Sequence, residues 1–356
     1  VVVRYVDGGG YPLWPLRTPE GVNCTSEGRT PIAVERPHPH TRGTRTVANT
    51  VIDSIGVGAF PIGVAITPDG TCVYVTNYYG HSVSVIEIAT NIVVDTIGVG
   101  SSPVGVAITP DGSHAYVTNQ NGHSVSVIEI TTNIVVDTIG VGSSPVGVAI
   151  TPDGSHAYVT NQFDNSVSVI ETATNTVADI IAIGAQPWGV AIAPDGTRTY
   201  VTRQNDRSVS VIETATNTVA DIIAIGAEPW GVAITPDGTH AYIISPFGNS
   251  VINTTTGTLT TTPIGAGRSP VGVAITPDGA LAYVTNYYGN SVSVIDTVTG
   301  DVTTTPLGIG EYPVGVAITP DGALAYVTNW GSNSVSVIAI DQSTVLTGHG
   351  STTSAP

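Results

Sequence analysis

Eight histidines are the first residues of this chain to weigh for metal or acid–base chemistry. His114, His156 and His240 each sit two residues after a Pro-Asp-Gly turn, and His81 and His123 share a second recurring position. A metal site needs several ligands converging on one point. Equivalent positions in successive copies of one unit point in different directions, so these side chains are not expected to meet. His38 and His40, in the tract PHPH at 37–40, read as local composition. The chain contains no G-x-S-x-G, H-E-x-x-H, P-loop or dinucleotide-binding pattern. The reading is no catalytic set, no metal site and no cofactor.

The other candidates are aromatic, amide-bearing or charged. Trp188 and Trp230 stand where the other copies of P-x-G-V-A-I carry an aliphatic residue, and Phe60, Gln186, Glu228 and Tyr312 directly precede that proline. Trp330 follows a copy of Y-V-T-N; Arg203 replaces the Asn that ends that motif in five copies. Rings with a polar edge suit binding surfaces, although large apolar groups also serve as core. The guanidinium fork of an arginine donates two parallel hydrogen bonds to a carboxylate. The expectation is a ligand site formed by Trp188, Trp230, Arg203, Glu228, Gln186, Tyr312, Trp330 and Phe60, with Arg203 beside the two tryptophans and Glu228.

The elements that must position these residues repeat. The turn T-P-D-G, or A-P-D-G once, begins at residues 67, 109, 151, 193, 235, 276 and 319, spacings of 41 to 43. A period near forty residues carrying several short strands is that of a propeller blade. G-V-A-I is apolar throughout, as an inner strand covered on both faces should be. The Pro-Asp-Gly hairpin leads to A-Y-V-T-N, a polar loop to the alternating S-V-S-V-I, and a further turn to an outer strand such as N-I-V-V-D-T-I-G. G-x-x-P then crosses to the next unit. The crossing loops and the loops between second and third strands should share one face of the disc, with the Pro-Asp-Gly turns on the other.

Residues 48–58 match an outer strand but precede the first inner one, while 333–341 are a third strand with no fourth after it. The N-terminal strand is therefore expected to complete the last blade. This gives an all-β chain: one seven-bladed β-propeller of four-stranded antiparallel blades, spanning 46–342. Closing the ring covers a sheet edge that would otherwise expose unpaired backbone groups. In blade 5 the third strand, N-S-V-I-N-T-T-T-G at 249–257, is two residues short, which preserves the side each residue faces because the side-chain period is two. Residues 1–45, rich in Pro, Gly and Arg, read as a flexible arm, and 343–356 as a flexible tail.

The formal charge is −17, and no lysine occurs. Six of the ten Lys/Arg side chains, all arginine, lie in the first 45 residues. An acidic surface repels phosphate backbones, so nucleic acid is an unfavoured partner. No apolar run is long enough to span a membrane, and the opening V-V-V-R-Y-V-D-G-G-G lacks the core of a secretory signal. Cys24 and Cys72 form no recognisable spacing and read as two unrelated thiols.

Residues 80–120 and 122–162 differ at one position, Ala89 against Thr131. Copying a blade copies a fold, whereas a catalytic centre needs different groups converging. The repeats A-Y-V-T-N, S-V-S-V-I and P-x-G-V-A-I-T-P-D-G resemble those of the YVTN-family β-propellers over roughly 47–341. That resemblance implies a seven-bladed ring and an extracellular or cell-surface setting, including surface layers, and supplies no catalytic residues. The expected function is a monomeric, non-enzymatic binding or scaffold propeller for a protein, carbohydrate or small-molecule ligand. The alternative is a lactonase- or lyase-like enzyme over the central channel, with Asn77, Asn119, Glu228 and Glu311 as candidates and a divalent cation such as calcium.

Overall fold

Each T-P-D-G turn is held by its own side chains. In blade 2 the Gly112 amide donates to the Thr109 carbonyl at 2.8 Å, and the Thr109 hydroxyl to the Asp111 carboxylate at 2.6 Å. Gly112 takes a φ of 71°, which a glycine adopts without penalty. The hairpin so fixed sets Pro103–Ile108 against His114–Asn119, and Ser124–Glu129 and Ile134–Gly140 complete the blade. The structure, a computed structural model, describes residues 49–260, 266–303 and 307–341. The proposed arm over 1–45 and tail over 343–356 lie outside them.

Seven four-stranded antiparallel sheets follow one another around an axis. The only helical element among the described residues is a three-residue 3-10 turn at Tyr287–Gly289. Blade 7 takes its inner three strands from Pro313–Ile318, Leu324–Asn329 and Ser334–Ala339 and its outer strand from Thr50–Gly56. Val51 pairs with Ile338 and Ile55 with Val335, as ring closure requires. Asn49 secures the junction: its side-chain oxygen accepts from the Tyr283 hydroxyl at 3.1 Å and the Asp341 amide at 2.8 Å.

The core lies between blades. Tyr116, Val125 and Val127 of blade 2 pack on Ala157, Val159 and Ile170 of blade 3, and the same arrangement repeats around the ring. Burying each such aliphatic side chain contributes about 1.5–3 kcal/mol. Two polar ladders join the blades as well. The Thr118 hydroxyl accepts from the Gly105 amide at 2.8 Å and donates across to the Val146 carbonyl of blade 3 at 2.7 Å. Thr76, Thr160, Thr202, Thr285 and Thr328 repeat the donation to the next blade. Gly105 is needed there because a Cβ would collide with the Val146 carbonyl. In the second ladder a buried tyrosine reaches an outer turn of the next blade, as Tyr116 does to Asn175 at 2.7 Å. Burial, helped by Asp137, pushes the Tyr116 hydroxyl up to about 12.

Blade 5 interrupts both ladders. Ile244 occupies the threonine position, and Gly257 stands in the outer turn where blades 3 and 4 carry Asn175 and Asn217, so Tyr200 meets no asparagine there. Its second and third strands pair only over His240–Ile243 and Ser250–Asn253. The parity argument holds, since Tyr242 faces Val251 and Ala241 faces Ile252 as in the full-length blades, and both partners are buried.

One reading from the sequence is corrected. Cys72, fully buried at the start of its strand, is disulfide-bonded and not a free thiol. Spacing alone could not show this; the other cysteine, Cys24, lies outside the described residues.

Candidate functional site

Crossing loops and second-to-third-strand loops share one face, as backbone bonds between them require. The Tyr78 amide donates to the Phe60 carbonyl and the Trp330 amide to the Tyr312 carbonyl, each at 3.0 Å. The residue before each crossing proline sits in a left-handed conformation in six blades, with φ of 57° at Phe60, 57° at Ser102 and 54° at Tyr312.

On this face seven rings from blades 6, 7 and 1 form an unbroken arc. Tyr288 packs edge-on to Tyr287 at 5.0 Å, and Tyr287 stacks on Tyr312 at 5.0 Å. Tyr312 contacts Trp330 at 6.2 Å, and Trp330 lies 4.4 Å from Phe60. Phe60 meets Tyr79 at 4.9 Å, and Tyr79 meets Tyr78 at 5.0 Å. Tyr288 at one end is exposed by 54% and Tyr79, next to the other end, by 42%, while the remaining rings are half-buried. Beyond Tyr78 the surface turns to amides: its hydroxyl donates to Gln120 Oε1 at 3.0 Å, and Gln120 Nε2 faces Gln162 Oε1 at 3.5 Å.

Of the residues expected to form a site, Phe60, Tyr312 and Trp330 belong to this arc. Trp188 and Trp230 touch each other at 5.0 Å and line the central channel, a cavity of about 230 Å³. The other five blades each contribute Val or Ile and glycine to the channel wall, so among the described residues no acidic, basic or amide side chain lines it. Gln186 holds the left-handed crossing position of blade 4, its amide bonded to Asn165 Oδ1 at 2.8 Å.

Arg203 does not join the tryptophans. It ends the second strand of blade 4, buried, with one terminal nitrogen paired to Asp206 and its Nε without a protein partner. Burial holds its guanidinium below the usual arginine value. The equivalent Asn119 explains the direction: its side-chain amide lies inside the blade, donating to Ser124 Oγ at 3.1 Å and Ser126 Oγ at 3.0 Å. Arg203 follows that inward path and packs against Gly184. Glu228 pairs with Arg207 at 3.8 Å, at a separate cavity of about 190 Å³ beside Phe247. The enzyme candidates are likewise scattered: Asn77 and Asn119 are buried within blades, and Glu228 and Glu311 belong to crossing loops of blades 5 and 7. Among the described residues, no three His, Cys, Asp or Glu side chains come together as metal ligands.

Tyr78, Tyr79, Tyr287 and Tyr288 were outside the expected set. Their signal was present in the sequence as N-Y-Y-G, found only at 77–80 and 286–289, on either side of the ring closure.

Two protein-family models match parts of the chain: a YNCE-like beta-propeller over residues 51–153 and a lactonase, 7-bladed beta-propeller over 224–356. Each spans less than half of the sequence, and together they support a β-propeller family. No curated protein sequence matches. Among solved structures, hydrazine synthase of Kuenenia stuttgartiensis superposes with a TM-score of 0.74 at 25% identity, over 85% of this chain and 99% of that one. No helix among the described residues is long and apolar enough to cross a membrane.

Proposed function

We propose that this chain is a non-enzymatic binding propeller of the YVTN-repeat kind, working at the cell surface or outside the cell. Its loop face would hold a ligand at the arc of blades 6, 7 and 1. The observation that carries this reading is the arc itself: seven rings from three blades in continuous contact, with Tyr288 and Tyr79 exposed. The disulfide at Cys72 supports an oxidising compartment, since such bonds are rare where thiols are kept reduced. Co-sedimentation with envelope fragments of the source cells tests the reading. Wild-type protein is expected to sediment and the double variant Phe60→Ser/Trp330→Ala to stay in solution; equal sedimentation of both would overturn it.

The lactonase match over 224–356 favours a second reading, hydrolysis or elimination at the channel. The apolar channel wall argues against it, because general acid–base catalysis needs a proton-transferring group within reach. Turnover in a lactone screen together with stoichiometric calcium would favour the enzyme.

A further inference from the structure

We infer that the arc of blades 6, 7 and 1 is a row of subsites for an uncharged polysaccharide chain, an inference that rests on the binding reading above and names its ligand class. Three observations carry it. The first is spacing. Ring centroids follow one another at 4.4 to 6.2 Å along the row, a step comparable to one pyranose ring. Pyranose rings present apolar C–H faces to aromatic side chains and hydroxyls at their rims.

The second is chemistry. The rings and the adjoining Gln120 and Gln162 carry hydroxyl, indole and amide groups, all neutral and all able to bond sugar hydroxyls. Among the described residues, the charged side chains in the loops that carry the row are Arg268, 5.8 Å over the Tyr288 ring, and exposed Glu311. On a chain of formal charge −17 an acidic polymer would be repelled, and nothing in the row offers a basic peptide a carboxylate to pair with except Glu311. An uncharged partner matches an uncharged strip.

The third is backbone conformation. Phe60 and Tyr312 hold φ of 57° and 54°, where Ser102, Ser144 and Ser269 serve in other blades. This conformation costs about 1–2 kcal/mol for any side chain with a Cβ, serine included, and three blades make the crossing with serine. Folding alone does not require rings at these two places, and both fall within the row.

The test is an array of neutral and acidic oligosaccharides probed with the fluorescently labelled full chain. Neutral glycans are expected to be retained, more tightly as length grows, with no loss at high salt. Trp330→Ala and Tyr288→Ala should each weaken binding at least fivefold; Tyr288 is exposed enough that its loss leaves the fold intact. Phe163→Ala, on the far side of the face, should change affinity less than twofold. Retention of acidic glycans alone, salt-sensitive retention, or equal retention by Tyr288→Ala would overturn the inference. Absence of glycan retention alongside arc-dependent binding to envelope fragments would overturn this inference and leave the binding reading standing. Loss of arc dependence in both assays would overturn both.

Discussion

On one half of the loop face the residue after Y-V-T-N is Tyr287, Trp330 or Tyr78. On the other half the corresponding residue is Gln120, Gln162 or Gln204, the last following Arg203. The strands beneath are the same, the threonine ladder is the same, and the crossing position is left-handed in both. What the two halves share is what a ring needs in order to close: glycine beside a carbonyl, threonine bridging blades, tyrosine reaching the next outer turn. Where they differ, the frame places no demand, and those are the positions left for a ligand. Blades 2 and 3, near-identical in sequence, thus serve as an internal control for blades 6, 7 and 1.

The largest expected effect removes the frame from the aromatic half. Deleting residues 46–58 strips the outer strand from blade 7 and reopens a sheet edge. Cooperative thermal unfolding should be lost or its midpoint should fall further than for any point variant. A truncated protein that unfolds as the full chain does would break the comparison at its base.

Next come the ladders, which should be worth the same on both halves. Thr118→Val and Thr328→Val each leave an amide and a carbonyl without their partner. Each is expected to cost about 1–3 kcal/mol in denaturant unfolding. The reverse change, Ile244→Thr, offers blade 5 the missing rung, worth about 0.5–1.5 kcal/mol, against the loss of buried apolar groups from the cluster that holds Ile244; it is expected to cost less than Thr118→Val. A loss for Ile244→Thr as large as that for Thr118→Val would show that no rung forms at blade 5.

A gain-of-binding change sharpens the comparison further. Writing the arc onto the amide half with Gln120→Tyr and Asn121→Tyr recreates N-Y-Y-G in blade 2, next to Tyr78. The added rings extend the row by one blade, so ligand affinity should rise severalfold in the assays above, while the bonds lost from Tyr78 to Gln120 and from Asn121 to Ser102 cost about 0.5–1.5 kcal/mol each in unfolding.

The smallest effect per residue is acid sensitivity of the opposite face. Hydrogen bonds from Thr109 and Ser113 hold the Asp111 carboxyl down at about 2, and the matching bonds from Thr151 and Ser155 do so for Asp153. A carboxyl depressed in the folded state stabilises above its unfolded value and loses that contribution as pH falls through the folded one. Stability should therefore decline between pH of about 4 and about 2. Asp111→Asn should flatten that decline slightly, read from thermal midpoints across the range.

Fold and site were unequally legible in the sequence. The spacing of T-P-D-G, the orphan strand before Val57 and the unfinished blade after Val335 together require a closed ring, because each is a local pattern with a fixed geometric consequence. The arc was only half legible. Its residues could be placed on one face, but the contact between Phe60 and Trp330 depends on the ring's two ends meeting at one angle, which no local pattern records. Arg203 misled for a related reason. The position after Y-V-T reads as the start of a loop, yet it is the last paired residue of a strand, and its side chain turns into the blade.

The most direct measurement is a crystal structure of the protein soaked with a neutral hexasaccharide retained on the array. The account predicts sugar density along Tyr287, Trp330 and Phe60, with the channel beside Trp188 and Trp230 unchanged. Density seated on the channel tryptophans, with the arc bare, would contradict it.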